Sequence, residues 1–177
     1  MSGATVSKEN SWLSFIDAKY KSEKLIKASG IPYMIFRPTW FMESLESMIQ
    51  NGKVKVMGEQ PIEIEWIAAK DFGQLLVNGY QNSESFNHEF NVYGPEGFTI
   101  NEALEKYIKV KHPEISKISN VPFWLLKLIA FVSRNTRLKE IIPLFEFFEK
   151  TREVGNAYTV HRFLGKPSTT LQQWLSN

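Results

Sequence analysis

The stretch Phe15–Leu45, FIDAKYKSEKLIKASGIPYMIFRPTWFMESL, constrains the fold more than any other part of the chain. Asp17–Ser29 sets Ala18, Leu25, Ile26 and Ala28 as a partial inner stripe among Lys19, Lys21, Glu23, Lys24 and Lys27. That pattern predicts an amphipathic helix, with Asp17 near its start to suit the helix dipole. Gly30 supplies a C-terminal stop and Pro32 forbids continuation. Tyr33–Phe36 then runs apolar without alternation, as a strand buried on both faces of a parallel sheet does. A helix leading by a short turn into such a strand is half of a crossover unit. Arg37-Pro38-Thr39 ends the strand, with Thr39 as N-cap of a helix over Trp40–Gln50 that Asn51-Gly52 stops.

The rest of the chain extends this alternation. Ser2–Asn10 reads as a loop. Lys53–Met57 and Ile62–Ile67 read as short strands and Ala69–Tyr80 as a helix with Asp71 in its first turn. Glu89–Tyr93 is a further strand. After the turn Gly94–Gly97, Thr99-Ile100-Asn101-Glu102 matches a capping box opening a helix to about Val110. Ile115–Val121 reads as a strand, Pro122–Ser133 as a helix with proline in its first turn, and Leu138–Lys150 as a helix disturbed by Pro143. Thr151–Thr159 is irregular and Val160–Leu164 a short turn or helix. Ser168 or Thr169 is placed to cap a last helix, Thr170–Leu175. The fold class is therefore α/β, with residues 1–93 forming a parallel-sheet part and residues 94–177 a mostly helical part.

Composition narrows the function classes. A net charge of +2 with no basic stripe argues against nucleic acid. With no cysteine, thiol nucleophiles, disulfides and thiolate metal sites are excluded, which fits a reducing, cytoplasmic setting. His88, His112 and His161 lie far apart, so no metal site is expected. There is no P-loop and no nucleophile elbow. The N-terminus has no signal-peptide core. The apolar run Pro122–Val132, PFWLLKLIAFV, is too short for a bilayer span of about 20 residues. It is instead a buried helix, a pocket wall, an oligomer contact or a membrane-surface face.

With the order of these motifs in view, KYKSEKLIKASGIPYMIFRPTWFMESL resembles the atypical short-chain dehydrogenase/reductases, in their NmrA-like and nucleoside-diphosphate-sugar-epimerase-like branch. Lys19 and Glu23, Ser29-Gly30, the apolar strand, Arg37-Pro38 and Phe41-Met42 follow the family order. IEWIAAKDFGQLL, FNVYGPEGFTINEAL and LGKPSTTLQQWL extend the likeness over nearly the whole chain. The resemblance implies a Rossmann-like domain over residues 1–93, of which this chain holds the C-terminal half. It implies a substrate-side lid over residues 94–177. It also implies NAD or NADP as cofactor and an unidentified small-molecule substrate.

Two departures bear on activity. No Gly-rich turn occurs to receive a dinucleotide pyrophosphate, so this chain is expected to bind the cofactor weakly or not at all. A literal Y-x-x-x-K match falls on Tyr20 and Lys24. In the family, however, the glutamate follows the catalytic lysine by four residues, which selects Lys19 with Glu23 and puts Phe15 in the tyrosine position. Phe15 has no proton to give, and both registers stay open here. Under the resemblance, Lys19, Arg37, Pro38 and Thr39 are the cofactor-binding candidates, while Trp40, Phe41 and Met42 are candidates for a pocket wall. Ser2 or Thr5 matches the family hydroxyl at the end of the preceding strand. A chain inactive alone and a cofactor or redox sensor acting through a protein partner are the two functional expectations. Exposed apolar surface implies self-association.

Overall fold

A computed structural model describes residues 1–153 and 155–176; Val154, within the expected irregular stretch, lies outside them. The elements in chain order are α1 (Ser14–Ala28), β1 (Met34–Pro38), α2 (Ser44–Ser47), β2 (Ile49–Gln50), β3 (Lys53–Met57), β4 (Ile64–Glu65), α3 (Ala69–Gln81) and β5 (His88–Val92). They continue with β6 (Gly97–Phe98), α4 (Ile100–Lys111), β7 (Ile118–Val121), α5 (Phe123–Val132), α6 (Thr136–Phe148), α7 (Tyr158–Phe163) and α8 (Leu171–Leu175). The mixed α/β class with parallel strands agrees with the sequence. The chain divides into two compact units that interleave in sequence. One holds Met1–Met42, Glu65–Glu96 and Glu153–Trp174, and the other is built mainly from Glu43–Ile64 and Gly97–Arg152. This division is not the one boundary after Tyr93 that the sequence suggests.

In the first unit β1 and β5 pair in parallel, with Phe36 opposite Phe90 and Pro38 opposite Val92. The N-terminus runs along the other side of β1. The amide of Ser2 donates to Phe36 O at 2.7 Å and that of Ala4 to Pro38 O at 3.3 Å, a two-for-two advance that gives this short segment the parallel sense. Phe36, Phe72, Leu75, Phe90, Val160 and Leu164 are buried together and form the core of this unit. Each such side chain contributes roughly 2–3 kcal/mol by leaving water. Helices α3 and α7 are tied by Asn78 Nδ2 donating to Leu164 O at 2.7 Å. Asp71 does more than start α3. Its carboxylate accepts from the amides of Ser168 and Thr169 at 2.6 and 2.8 Å, anchoring the segment that leads to α8. The cap of α8 is Thr170 rather than Ser168 or Thr169. Thr170 Oγ1 accepts from the Gln173 amide while the Gln173 side chain accepts from the Thr170 amide, a reciprocal box.

Two local readings of the Phe15–Leu45 stretch are corrected. The helix over Trp40–Gln50 is reduced to the single turn Ser44–Ser47, and Ile49–Gln50 is a strand. Trp40 and Phe41 stay out of it because the backbone here is claimed by the neighbouring segment, with Phe41 bridged in parallel to Ile67: Ile67 N donates to Trp40 O and Met42 N to Ile67 O, both at 2.9 Å. Thr39 accordingly caps nothing, and its hydroxyl donates to Glu65 O at 2.5 Å. The α1 stripe is also different. Ile16 and Glu23 are the buried residues, whereas Ala18, Leu25, Ile26 and Ala28 are exposed.

In the second unit β2 and β3 form a hairpin whose register sets Gln50 opposite Lys53. Asn51 and Gly52 both have positive φ, 52° and 66°. They make the two-residue primed turn that suits a hairpin, and they stop no helix. Strand β3 pairs in parallel with β7. Between them α4 opens on the expected Thr99/Glu102 capping box. Helices α5 and α6 pack through Leu126, Ala130 and Ile142. Pro143 lies inside α6, which runs on to Phe148, and Asn135 caps it by accepting from the Leu138 amide at 3.0 Å.

Candidate functional site

In open α/β sheets ligands bind at the carboxyl ends of parallel strands, and the candidate residues concentrate at that end of β1 and β5. Arg37, on β1, is locked in place. Its guanidinium donates to both oxygens of Glu23 on α1, at 2.9 and 2.5 Å, and pairs with Glu89 of β5 at 2.6 Å. Lys27 pairs with the other oxygen of Glu89. Burial works to raise the Glu23 carboxyl, but the hydrogen bonds and charge of Arg37 win and hold it below the usual carboxylate range. The same pair, against a smaller desolvation cost, pushes Arg37 up. Arg37 therefore fastens α1 to the sheet with its fork.

Pro38 and Thr39 are buried at the strand end. The Thr39 amide donates to Val92 O at 3.0 Å, so its backbone and hydroxyl are both engaged within the protein. Met42 is fully buried. Phe41 packs edge-on against Phe72 at 5.2 Å, and half-buried Trp40 against Trp66 at 5.9 Å.

Lys19 stands differently. Its Nζ donates to Ser2 O at 3.2 Å and sits 4.5 Å from the centre of the Phe15 ring. Burial lowers its pKa, against a smaller upward pull from Glu23. An ammonium has three donors, and Ser2 O engages one of them. The alternative pair lies further round the helix, with Lys24 exposed and its Nζ 5.8 Å from the Tyr20 ring. Lys19, Ser2, Ser22, Glu23 and Met34 line an open hollow of about 220 Å³ between α1 and the N-terminal side of β1.

The sequence did not single out a third group. Tyr93 follows β5, and its hydroxyl is buried without a hydrogen-bond partner among the described residues. Burial, then the charges of Glu153 and Glu65, pushes this phenol up to about 12. Glu153 Oε2 is also buried and without a partner among the described residues, and burial followed by the Glu65 charge pushes that carboxyl up to about 8. A side chain on Gly155 would collide with Tyr93 Oη, so the backbone at Gly155 lies directly against the phenol. The strand-end position of Tyr93 before Gly94-Pro95 was a readable signal, whereas nothing near Glu153 in sequence was. Among the described residues no group of three or more His, Cys, Asp or Glu could hold a metal ion. No helix among them is long and apolar enough to cross a membrane.

This architecture is that of the NAD(P)-dependent reductases and nucleoside-diphosphate-sugar epimerases, as comparison with solved structures shows. It is similar to a nucleoside-diphosphate-sugar epimerase of Staphylococcus aureus, with a TM-score of 0.73 and 13% identity over 99% of this chain and 63% of that one. It is also similar to the NADPH-dependent quinone oxidoreductase QOR2 of Escherichia coli solved with NADPH, with a TM-score of 0.68 and 16% identity over 95% of this chain and 61% of that one. Among curated proteins, the photosystem II assembly factor Ycf39 of Trieres chinensis is 21% identical over 151 residues, 81% of this chain and 42% of that protein. The chain thus spans less than two thirds of the proteins it resembles. No family model matches it.

Proposed function

We propose that this chain is the nicotinamide-side part of an NAD(P)-binding protein of the reductase and epimerase fold, and that it does not catalyse hydride transfer by itself. One observation carries the reading: Lys19 is half-buried beside the sheet with donors to spare, and the ring it rests against is Phe15. In the fold's enzymes the dinucleotide supplies or takes up a hydride, and a tyrosine hydroxyl beside the lysine handles the proton. Phe15 removes that hydroxyl while preserving the ring that positions the lysine. The half-buried setting of Lys19, against the exposed one of Lys24, supports the Phe15/Lys19 register over Tyr20/Lys24.

The residues present fit one end of the cofactor. Lys19 would donate to the hydroxyls of the nicotinamide ribose, and the backbone at Pro38-Thr39 would face the ring from the strand end. The orphaned Tyr93 hydroxyl offers a further polar contact. Nothing among the described residues resembles a pyrophosphate cradle, so binding by this chain is weak. The test is an NADPH-oxidation assay on a panel of quinones and aldehydes. The expected result is no turnover above background. Turnover abolished by Lys19→Ala would overturn the reading.

The presence of Phe15 also favours a second reading, in which the protein senses the cofactor and reports it to a protein partner. Self-association belongs with either reading. Leu25, Ile26 and Ile31 form an exposed apolar face beside the α1–β1 hollow, which a second copy would cover. Sedimentation velocity should show a dimer that Ile31→Glu dissociates, and a monomer at all concentrations would contradict it.

A further inference from the structure

Helix α5 has two apolar faces, and only one of them has a partner among the described residues. Leu126 and Ala130 are buried against α6. Trp124, Leu128, Phe131 and Val132 are between 52% and 74% exposed. At about 100° per residue these four fall within one sector, opposite Leu126 and Ala130. Leaving Trp, Leu, Phe and Val side by side in water is unfavourable, and such a patch marks a surface that something covers.

The charge around the patch says what covers it. From Ile115 to Lys139 the chain has no acidic residue and five basic ones: Lys117, Lys127, Arg134, Arg137 and Lys139. The remaining residues carry 16 basic against 19 acidic side chains, so the positive charge of the protein is concentrated here. Lys127 lies on the flank of the exposed sector and is paired to Glu146 of α6 at 2.5 Å. Arg134, Arg137 and Lys139 are exposed in the turn and first helical turn that follow α5. A short helix with Trp, Leu and Phe on its open face and basic residues at its end matches a segment that lies in a bilayer interface, with its cations among lipid phosphates. A second copy of the chain would instead bring this basic cluster against itself.

We propose that α5 and the basic turn after it form a peripheral attachment site for an anionic lipid surface. The open face enters the headgroup boundary, and Arg134, Arg137 and Lys139 contact lipid phosphates.

The experiment is co-sedimentation of the 177-residue chain with vesicles of phosphatidylcholine alone and of phosphatidylcholine with phosphatidylglycerol. Binding to the anionic vesicles is expected, with little to the neutral ones. Phe131→Glu should abolish it, and because Phe131 is exposed the thermal melt should not move. The triple variant Arg134→Gln, Arg137→Gln, Lys139→Gln should weaken binding at low salt by at least tenfold, up to on the order of 100-fold. Salt at about 1 M, where the screening length is near 3 Å, should do the same to the unaltered chain. The absence of sedimentation with anionic vesicles would overturn the proposal. So would equal binding to both vesicle types, or a dimer in sedimentation velocity that Phe131→Glu dissociates, since a second copy would then own the face.

Discussion

Helices α1 and α5 both leave large apolar side chains in water, in opposite electrostatic settings. On α1, Leu25 and Ile26 sit among residues of both signs, and the helix is held down by a buried carboxylate, Glu23, in the fork of Arg37. On α5 the inward face is purely apolar, Leu126 and Ala130 against Ile142, and the surrounding segment carries only positive charge. Exposure alone therefore identifies no partner. The mixed-charge face beside the β1 edge suits another protein surface, and the single-sign face suits a lipid one. The contrast also separates stability from function. Glu23 fixes a helix, whereas the Phe131 side chain stands mostly in water.

Substitutions on the two helices should differ accordingly. The largest effect is expected for Glu23→Gln, which leaves Arg37 mostly buried without its two-pronged partner. A cost of about 3 kcal/mol is expected because Glu89 still serves one side of the guanidinium. Guanidinium unfolding measures it, and a loss under about 1 kcal/mol would mean that α1 is held by something else. Leu126→Ala, on the inward face of α5, should cost about 2–3 kcal/mol by the same measurement. Leu128→Ala, two residues on but in the open sector, should change stability by less than about 0.5 kcal/mol. Equal costs for the two leucines would mean that the α5 face is covered within the chain.

The acids of the first unit make a further comparison. The folded-state pKa of Glu23 is depressed, so its contribution is present above the ordinary carboxylate value and is lost as pH falls through the folded one. That of Glu153 is raised to about 8, so its contribution is present in acid. It is lost as pH rises from the ordinary carboxylate value, 4.5, through about 8. Glu65 is the charge that acts on it, and the Tyr93 phenol feels the charge of Glu153 in turn. Unfolding followed across that interval should show stability falling towards pH 8, and Glu153→Gln should flatten the fall. A profile unchanged by that substitution would place Glu153 in water.

What could be read from the sequence was what depends on near neighbours. The Thr99/Glu102 box, the apolar run of β1 and the amphipathic period of α3 are local, and each appears as expected. The failures occur where distant chain decides. Trp40–Met42 has a helix-like context, yet the backbone of Ile67 takes its hydrogen bonds. Asn51-Gly52 fits a helix stop and a hairpin turn equally well until the partner strand is known. The inward residue of α1 is a glutamate, which an apolar stripe cannot reveal, because its burial depends on Arg37, 14 positions away. Of the candidate site, Lys19 and Phe15 were singled out through the family resemblance, since the literal Y-x-x-x-K spacing points to Tyr20 and Lys24 instead. Tyr93 and Glu153 meet only through tertiary structure.

The claim that Lys19 and its phenylalanine neighbour form the nicotinamide end of a cofactor site is tested most directly by saturation-transfer NMR with NADPH on the 177-residue chain. The expected result is weak binding, in the millimolar range, with transfer strongest at the nicotinamide-ribose protons and lost in Lys19→Ala. Micromolar binding that Lys19→Ala leaves unchanged, or no transfer at all, would contradict it.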